Sequence, residues 1–175
     1  MNIGSKKEGE KLRIVEAEVR MDEEKMPVLI KEPAKLYKPL QHLSCPADVV
    51  QVMTDVFEMD RQIAELVYMI ALDNKAKPLA FFLLNRGTVN QSLVDVRGMM
   101  ISLLLCNAAG VIIVHNHVGG ECIPSQEDGR VTERIKAAAE LLGMDFCDHI
   151  IVGENKNYYS YRRQSWKKED GRVQN

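Results

Sequence analysis

The chain has 175 residues, which is enough for one domain with a hydrophobic core and too few for two full domains. Its formal net charge of −2 excludes the strongly basic composition of proteins that bind nucleic acid through bulk charge. The longest apolar run, residues 99–114, is interrupted by polar residues and glycine, and it falls short of the roughly 20 apolar residues that a membrane-spanning helix needs.

The first 43 residues predict an N-terminal extension with one strand and a proline-spaced linker (residues 1–43). Residues 1–11 are polar and charged, which is typical of a disordered start. Apolar and charged residues then alternate with a period of two, which predicts a strand. The apolar members of this alternation are Val15, Ala17, Val19 and Met21. Prolines punctuate the segment that follows and predict an extended linker. They are Pro27, Pro33 and Pro39.

The next segment predicts a helix and a hairpin. Ser44 can cap the helix, and Pro46 fits its first turn. Residues 66–72 are dense in apolar and aromatic side chains and predict a strand. Residues 79–84 predict a second strand, so we expect a hairpin around residues 73–78.

Helices and strands alternate in the second half of the chain. Gly110 ends the first of these helices and Gly143 ends the second, while residues 164–175 are polar and are expected to form a loose tail. The predicted elements are helices over residues 98–107 and 126–142, and strands over residues 111–114, 150–152 and 158–161. Hairpins and crossovers are both present, which predicts an α/β domain with a mixed β-sheet flanked by helices.

Two histidines follow the buried strand predicted at residues 111–114. His115 and His117 would point the same way, because residues i and i+2 of an extended backbone share a face. Asp128 falls in the first turn of the next helix, after a loop long enough to fold back. Two imidazoles and a carboxylate suit zinc, with a fourth position left for water. The pattern favours a zinc site built on the histidine pair, with Asp128 as a candidate third ligand.

Asp128 also has a purely structural interpretation. The run Ser125-Gln-Glu-Asp128 fits a capping box, in which Ser125 caps the helix and the acid bonds back to it. Cys122 is an alternative third ligand, although one cysteine at that spacing matches no recognised pattern. Spacing alone leaves these alternatives open.

A zinc hydrolase also needs a general base close to the metal. Glu65, Glu121 and Glu127 are candidates, and their spacing does not choose among them. Glu65 stands at the start of a strongly apolar strand, where a buried carboxylate is costly without a function. Exposure at the strand end is the simpler interpretation of the same position.

Taken together, these residues resemble the JAMM (MPN-plus) metal signature. Residues 45–162, about two-thirds of the chain, are more closely similar to the RadC-like branch of bacterial JAB domains. The matching segments are His115-Asn-His117, Pro124-Ser-Gln-Glu-Asp128, Asp148-His-Ile-Ile-Val-Gly153, Gly87-Thr-Val-Asn-Gln-Ser-Leu-Val94 and Tyr158-Tyr-Ser160.

The resemblance implies a role for each ambiguous residue. The upstream acid of the family precedes a strand that ends in Leu-(Asn/Asp)-x-Lys, and Glu65 stands in that place ahead of Leu72-Asp-Asn-Lys75. Glu65 is thereby implied as the general acid/base, Asp128 as the third zinc ligand, and Ser125 as a hydrogen-bond donor to the reacting carbonyl or its oxyanion. The implied fold over residues 44–163 is the JAB/MPN (cytidine-deaminase-like) architecture.

The implied activity is that of a zinc-dependent metallohydrolase, a metalloprotease of the JAMM type. It would use one Zn²⁺ ion per chain and metal-activated water to cleave a peptide or isopeptide bond in a peptide or protein substrate. The chain departs from the branch after the second histidine, where Val118-Gly-Gly120 replaces Pro-Ser-Gly, and at Asp95-Val-Arg-Gly98, which replaces His-Pro-Arg-Glu.

These departures keep two alternatives open, a binding module with weakened turnover and a DNA-repair-associated accessory protein. The near-neutral charge does not favour nucleic acid as a partner. His149 is expected to be a hydrogen-bonded histidine that supports the fold rather than a ligand. The four cysteines form no Cys-x-x-Cys pair and no apolar leader is present, so we expect free thiols and a cytoplasmic protein without a membrane partner.

Overall fold

The structure, a computed structural model, describes residues 11–37, 40, 42–87, 94–163, 165–167 and 173–174. Most of the polar start predicted for residues 1–11 and most of the Gly87–Val94 segment therefore lie outside the described residues. The helices are α1 (Pro46–Phe57), α2 (Val96–Leu105) and α3 (Gln126–Leu141). The strands are β1 (Leu12–Ile14), β2 (Ala17–Met21), β3 (Pro27–Lys31), β4 (Lys35–Tyr37), β5 (Leu66–Leu72), β6 (Pro78–Arg86), β7 (Gly110–Asn116), β8 (Asp145–Val152), β9 (Tyr158–Ser160), β10 (Ser165–Lys167) and β11 (Val173–Gln174).

A single large sheet forms the centre of the fold. Its strand order is β11-β10-β9-β8-β7-β5-β6. β7 and β8 run parallel, whereas β5 is antiparallel to both β6 and β7. The predicted α/β class with a mixed sheet flanked by helices is therefore confirmed.

Alternate residues of the central strands build two separate cores. Tyr68 and Ile70 of β5 pack with α1 on one face, while Val67 and Met69 pack with α2 and α3 on the other. Every residue of β5 and of β7 is buried, as expected for strands covered on both faces. The central strands are therefore held rigidly from all sides.

The N-terminal segment differs from the prediction of one strand and a linker. β1 pairs with β4, and β2 pairs with β3, so residues 12–37 form two small antiparallel sheets. Pro27 does not prevent this, because a proline is tolerated as the first residue of a strand. Asp22 stabilises the turn between β2 and β3 by accepting hydrogen bonds from the backbone N–H groups of Glu24 and Met26. Pro39 lies outside the described residues.

Two smaller expectations are also corrected. α1 is capped by Cys45 rather than Ser44, and Asp48 accepts hydrogen bonds from the backbone N–H groups of both residues. The polar tail is not without structure, because β10 pairs with β9 in the register Ser165 to Ser160. β9 pairs with β8 on one side and offers its other side for this pairing, which polarity alone does not reveal.

Each of the four cysteines is a free thiol. Within the described part of the chain, every helix is too short or too polar to cross a bilayer.

Candidate metal centre

Three side chains converge where the end of β7 meets the start of α3. The Nε2 atoms of His115 and His117 lie 3.0 Å apart. Asp128 places Oδ1 3.2 Å from Nε2 of His115 and Oδ2 3.5 Å from Nε2 of His117. His115 and Asp128 are buried, and His117 is half-buried. The structure thus brings together the three residues that the sequence predicted as metal ligands.

The spacing of these atoms is close to that of the ligands of a tetrahedral metal ion, although the 3.0 and 3.2 Å distances are slightly short. Zinc bonds to histidine nitrogen and carboxylate oxygen are about 2.0–2.2 Å long, so tetrahedral ligand atoms lie about 3.3–3.6 Å apart. One ligand atom from each of the three side chains lies within 4.8 Å of the others. Among the residues that the structure describes, no other group of this kind is found, so Cys122 is not part of one. The group could therefore hold a metal ion such as zinc.

β7 determines where the histidines point. His115 is the penultimate residue of β7 and faces α3, on the same side of the sheet as Val111 and Ile113. Antiparallel pairing with Val67 of β5 and parallel pairing with Ile151 of β8 hold it on both sides. The backbone of His115 is therefore fixed between two neighbouring strands, which sets the direction in which its imidazole points.

The loop after β7 folds back and holds His117. Nδ1 of His117 lies 3.1 Å from the carbonyl oxygen of Glu121, and the N–H of Gly120 donates to the carbonyl of His117. The carbonyl of Gly120 in turn accepts a 2.9 Å hydrogen bond from the N–H of Glu154. A Cβ on Gly153 would lie 2.6 Å from that carbonyl oxygen, so the loop can dock only against a glycine. The loop that departs from the family pattern is therefore anchored in place.

The predicted capping box is present at the start of α3. Oδ2 of Asp128 accepts hydrogen bonds from the backbone N–H of Ser125 at 2.8 Å and from its hydroxyl at 2.6 Å. The N–H of Asp128 donates back to the Ser125 hydroxyl oxygen at 3.1 Å. Asp128 therefore caps the helix and faces the two histidines at the same time. The two interpretations left open by the sequence describe one side chain.

Electrostatics distinguish the members of the group. Burial would raise the pKa of Asp128, but the contacts with His115 and His117 outweigh it and hold that pKa well below the usual range. The hydrogen bond with Asp128 raises the pKa of His117 above 6.5, although burial opposes the shift. The pocket therefore favours a positive charge between the carboxylate and the imidazoles, supplied by a proton or by a metal ion.

Glu65, the predicted general base, lies just before β5. Val67 pairs with His115, so the antiparallel register, continued outward, sets Glu65 opposite His117. The side chain of Glu65 is half-buried, and its charge adds to that of Asp128 in raising the pKa of His117. Glu65 therefore belongs to the electrostatic surroundings of the metal group.

Asn116 links the Glu65 segment to the histidine strand. Its Oδ1 accepts a 2.8 Å hydrogen bond from the N–H of Leu66, and its Nδ2 donates to the carbonyl of Ala64 at 3.3 Å. Asn116 is 2% exposed. The peptide groups on both sides of Glu65 are thereby tied to the residue between the two histidines.

A chain of buried hydrogen bonds lies behind His115. Its Nδ1 is 2.8 Å from Nε2 of His149, whose Nδ1 is 2.6 Å from the hydroxyl of Thr132. That hydroxyl also lies 2.6 Å from the carbonyl oxygen of Asp128. The ring of His149 stacks on Tyr161, and burial lowers the pKa of His149 well below its ordinary value. His149 is thus a hydrogen-bonded neutral histidine, as the sequence suggested.

Asp148 stabilises β8, the strand of His149, from the opposite face of the sheet. It accepts hydrogen bonds from the N–H of His149 at 2.8 Å, the hydroxyl of Ser160 at 2.6 Å and the N–H of Arg162 at 3.0 Å. Burial raises the pKa of Asp148 despite these donors. Its position on the far face of β8 from His149 makes it a structural acid.

The other two candidate bases, Glu127 and Glu121, make contacts that do not involve their carboxylates with the metal group. Glu127 forms an exposed ion pair with Arg130 at 2.7 Å. The side chain of Glu121 is exposed, and the loop uses its backbone carbonyl to hold His117. Sequence reasoning missed Asn116 and Thr132 altogether. Asn116 was visible between the histidines, but nothing in a single sequence signals the partner of a buried threonine.

The model of one protein family matches most of the chain. This family, described as the RadC-like JAB domain, matches residues 43–166. Its range includes Glu65, both histidines of the metal group and Asp128. The match agrees with the mixed sheet and with the position of the candidate metal centre at the end of its central strand.

Several UPF0758 proteins are similar over the same region. The protein of Thermotoga maritima is 41% identical over 100 residues, which are 57% of this chain and 45% of the relative. The protein of Desulforamulus reducens is 39% identical over 115 residues, 65% of this chain and 49% of the relative. That of Actinobacillus pleuropneumoniae is 34% identical over 116 residues, 66% of this chain and 52% of the relative. The matched region is about half the length of each of these curated relatives.

Proposed function

Because the chain belongs to the RadC-like JAB domain family, we propose that it is a zinc-dependent metallohydrolase of the JAMM type. The proposed reaction is hydrolysis of a peptide or isopeptide bond in a peptide or protein substrate. The observation that carries the proposal is the convergence of His115, His117 and Asp128 at zinc-ligand spacing. Glu65 is the proposed fourth participant, since its charge acts on His117 from the neighbouring strand end.

Each residue has a distinct chemical task in this proposal. His115, His117 and Asp128 would hold the zinc ion, which would supply Lewis-acid polarisation and lower the pKa of a bound water. The Glu65 carboxylate takes a proton from the attacking water and returns it to the leaving amine. The half-buried position of Glu65 suits both halves of this transfer, because its charge acts on His117 and the residue is still partly exposed to solvent.

Ser125 is proposed to donate a hydrogen bond to the oxyanion that develops on the substrate. Its hydroxyl donates to Oδ2 of Asp128 in this structure, so it must rotate to reach a substrate. The N–H of Ser125 keeps its own 2.8 Å bond to the same oxygen during such a rotation. The helix cap can therefore persist while the hydroxyl is released.

Zinc content tests the ligand set directly. We expect about one zinc ion per chain in the purified protein by elemental analysis, and none in a His115→Ala, His117→Ala double variant. Cys122→Ser is the matched control, because it removes the alternative ligand, and we expect it to keep its zinc. Equal zinc in the wild type and the double variant would refute the metal site.

Turnover needs a separate test, because a metal site can persist in a binding module. We expect the zinc-loaded protein to cleave members of a peptide and isopeptide library. Glu65→Gln should abolish cleavage and retain zinc, whereas Glu127→Gln, outside the group, should retain both. A zinc-loaded wild type that binds library members without cleaving them would favour the weakened binding module instead.

A further inference from the structure

The buried chain behind His115 has a definite hydrogen-bond direction. It begins at the carbonyl oxygen of Asp128, which can only accept. The Thr132 hydroxyl lies 2.6 Å from that oxygen and must donate to it, because two oxygens at this distance repel without a proton between them. The only hydrogen of the hydroxyl is thereby used.

The direction passes through both histidines. Since the Thr132 hydroxyl has no second hydrogen, it accepts from Nδ1 of His149, 2.6 Å away, so that this nitrogen carries the proton. His149 is 2% exposed and its two ring nitrogens face Thr132 and His115 rather than a carboxylate, which favours the neutral ring. Its Nε2 is then bare and accepts from Nδ1–H of His115 at 2.8 Å. A neutral His115 whose proton is on Nδ1 has a bare Nε2. That is the atom that faces Asp128 and His117.

The second histidine of the pair is oriented by a simpler contact. Nδ1 of His117 lies 3.1 Å from the carbonyl oxygen of Glu121, so it carries a proton, and in the neutral ring that a metal requires the lone pair is on Nε2. His117 thus depends on the loop after β7, whereas His115 depends on residues of α3 and β8. The Nε2 lone pairs of His115 and His117 are therefore oriented by separate sets of contacts.

We infer that Thr132 and His149 are positioning residues that fix His115 in the tautomer whose Nε2 is free to bind a metal. We call the chain from the Asp128 carbonyl through Thr132 and His149 to His115 the relay. Because it begins at the backbone of Asp128, the third proposed ligand, the same contacts link His115 and Asp128. The inference rests on the proposed function only where it names zinc as the ion. The tautomer itself is a property of the metal-free protein.

The placement of Thr132 and His149 suits this role. Thr132 is 3% exposed and His149 is 2% exposed, so water has little access to replace either contact. The imidazole of His149 is also held flat against Tyr161, with ring planes 9° apart. Without the hydroxyl, the Nδ1 proton of His149 would lose its acceptor, and His149 could adopt the tautomer with its proton on Nε2. That proton would be donated to Nδ1 of His115. The proton of His115 would then be on Nε2, where it prevents metal binding.

The test removes one hydroxyl and compares it with a twin elsewhere in the fold. Thr132→Val keeps the shape of the side chain and deletes the relay. Thr54→Val is the matched control, because Thr54 is a buried helical threonine whose hydroxyl likewise donates to the carbonyl four residues earlier, Val50, at 2.9 Å. Thr132→Ser restores the hydroxyl and is the rescue variant.

Zinc affinity, measured by competition with a chromophoric chelator, is the first readout. We expect Thr132→Val to weaken zinc binding by about 10- to 100-fold, the range found for partners of metal-bound histidines, with Thr54→Val unchanged and Thr132→Ser near wild type. Equal zinc affinity in Thr132→Val and the wild type would overturn the inference.

The second readout does not involve metal. Long-range ¹H–¹⁵N spectra of the zinc-free protein at a pH where His115 is neutral should give the Nδ1–H tautomer in the wild type. In Thr132→Val we expect the Nε2–H tautomer or a mixture. An Nε2–H tautomer in the wild type would overturn the inference. A wild type that binds no zinc but has the Nδ1–H tautomer would refute the proposed function and support the relay.

Discussion

Asn116 holds Leu66 by a 2.8 Å hydrogen bond from the Leu66 N–H to its side-chain oxygen. The same amide donates to the carbonyl of Ala64, so one side chain binds the peptide groups on both sides of Glu65. The Asn116 side chain thus supplies the hydrogen bonds that a strand backbone would make, at the point where the pairing of β5 with β7 ends. The distance between the proposed base and the histidines depends on the residue that separates the histidines.

Replacing Asn116 with leucine should therefore lower stability more than its size suggests. The Leu66 N–H and the Ala64 carbonyl would lose their buried partner, and each unsatisfied group costs about 1–3 kcal/mol. We expect Asn116→Leu to reduce the free energy of unfolding by about 2 kcal/mol or more in urea titrations. Asn74→Leu, at an exposed turn, should change it by less than about 0.5 kcal/mol. Equal effects of the two substitutions would contradict this role for Asn116.

The charge of His117 should depend on Asp128 in the zinc-free protein. Asp128 raises the pKa of His117 above 6.5, so the charged pair contributes stability that is fully present below about pH 6.5 and is lost as pH rises through the raised pKa. Zinc needs the neutral imidazole, so its affinity should increase over the same range of pH. NMR titration should give a pKa for His117 above 6.5 in the wild type and a lower one in Asp128→Asn. An unchanged midpoint would exclude the pairing.

Gly153 should be irreplaceable even by alanine. A Cβ at this position would lie 2.6 Å from the carbonyl oxygen of Gly120 and push away the loop that holds His117. We expect Gly153→Ala to weaken zinc binding by roughly 10-fold and to cost about 1–3 kcal/mol of stability. In Gly129→Ala, on α3, the new methyl group meets nothing within 4 Å, and stability should rise by about 0.5–1 kcal/mol. Similar zinc affinity in both variants would disprove the steric argument.

Asp148 should tolerate amidation but not truncation. An asparagine can still accept from the N–H groups of His149 and Arg162, whereas Asp148→Ala leaves buried donors without a partner and should cost about 3 kcal/mol. Burial raises the pKa of Asp148, so its contribution to stability is full below pH 3.8 and decreases as pH rises through the raised value. Asp148→Asn should therefore compare more favourably with the wild type at neutral pH than at pH 3. Unfolding free energies measured across this range would contradict the argument if that difference were constant.

The elements predicted from sequence are those whose signals are local. The apolar run of β5 and its bounding turn predicted residues 66–72, and the structure has the same limits. The His-x-His spacing predicted a shared face for His115 and His117, and their Nε2 atoms do lie together. Periodicity and turn chemistry act over a few residues, so one sequence contains them in full.

What the sequence did not reveal depends on contacts between distant segments. The pairing of β1 with β4 joins two short runs whose patterns are too brief to predict a sheet. Thr132 and His149 meet because α3 packs on β8, and no spacing rule connects them. For Asp128, the helix-cap pattern was correct but incomplete, since its carboxylate meets His115 and His117 only when α3 is set against β7.

The burial of β7 on both faces has an evolutionary consequence. A substitution beside His115 must be matched by changes in both neighbouring strands and in α3, so the metal group should drift slowly. The exposed side chains of the loops beside it are under no such restraint, since Ile63 is 94% exposed and Val118 is 57% exposed. These two side chains can therefore be exchanged over evolution while the group of His115, His117 and Asp128 beneath them stays the same.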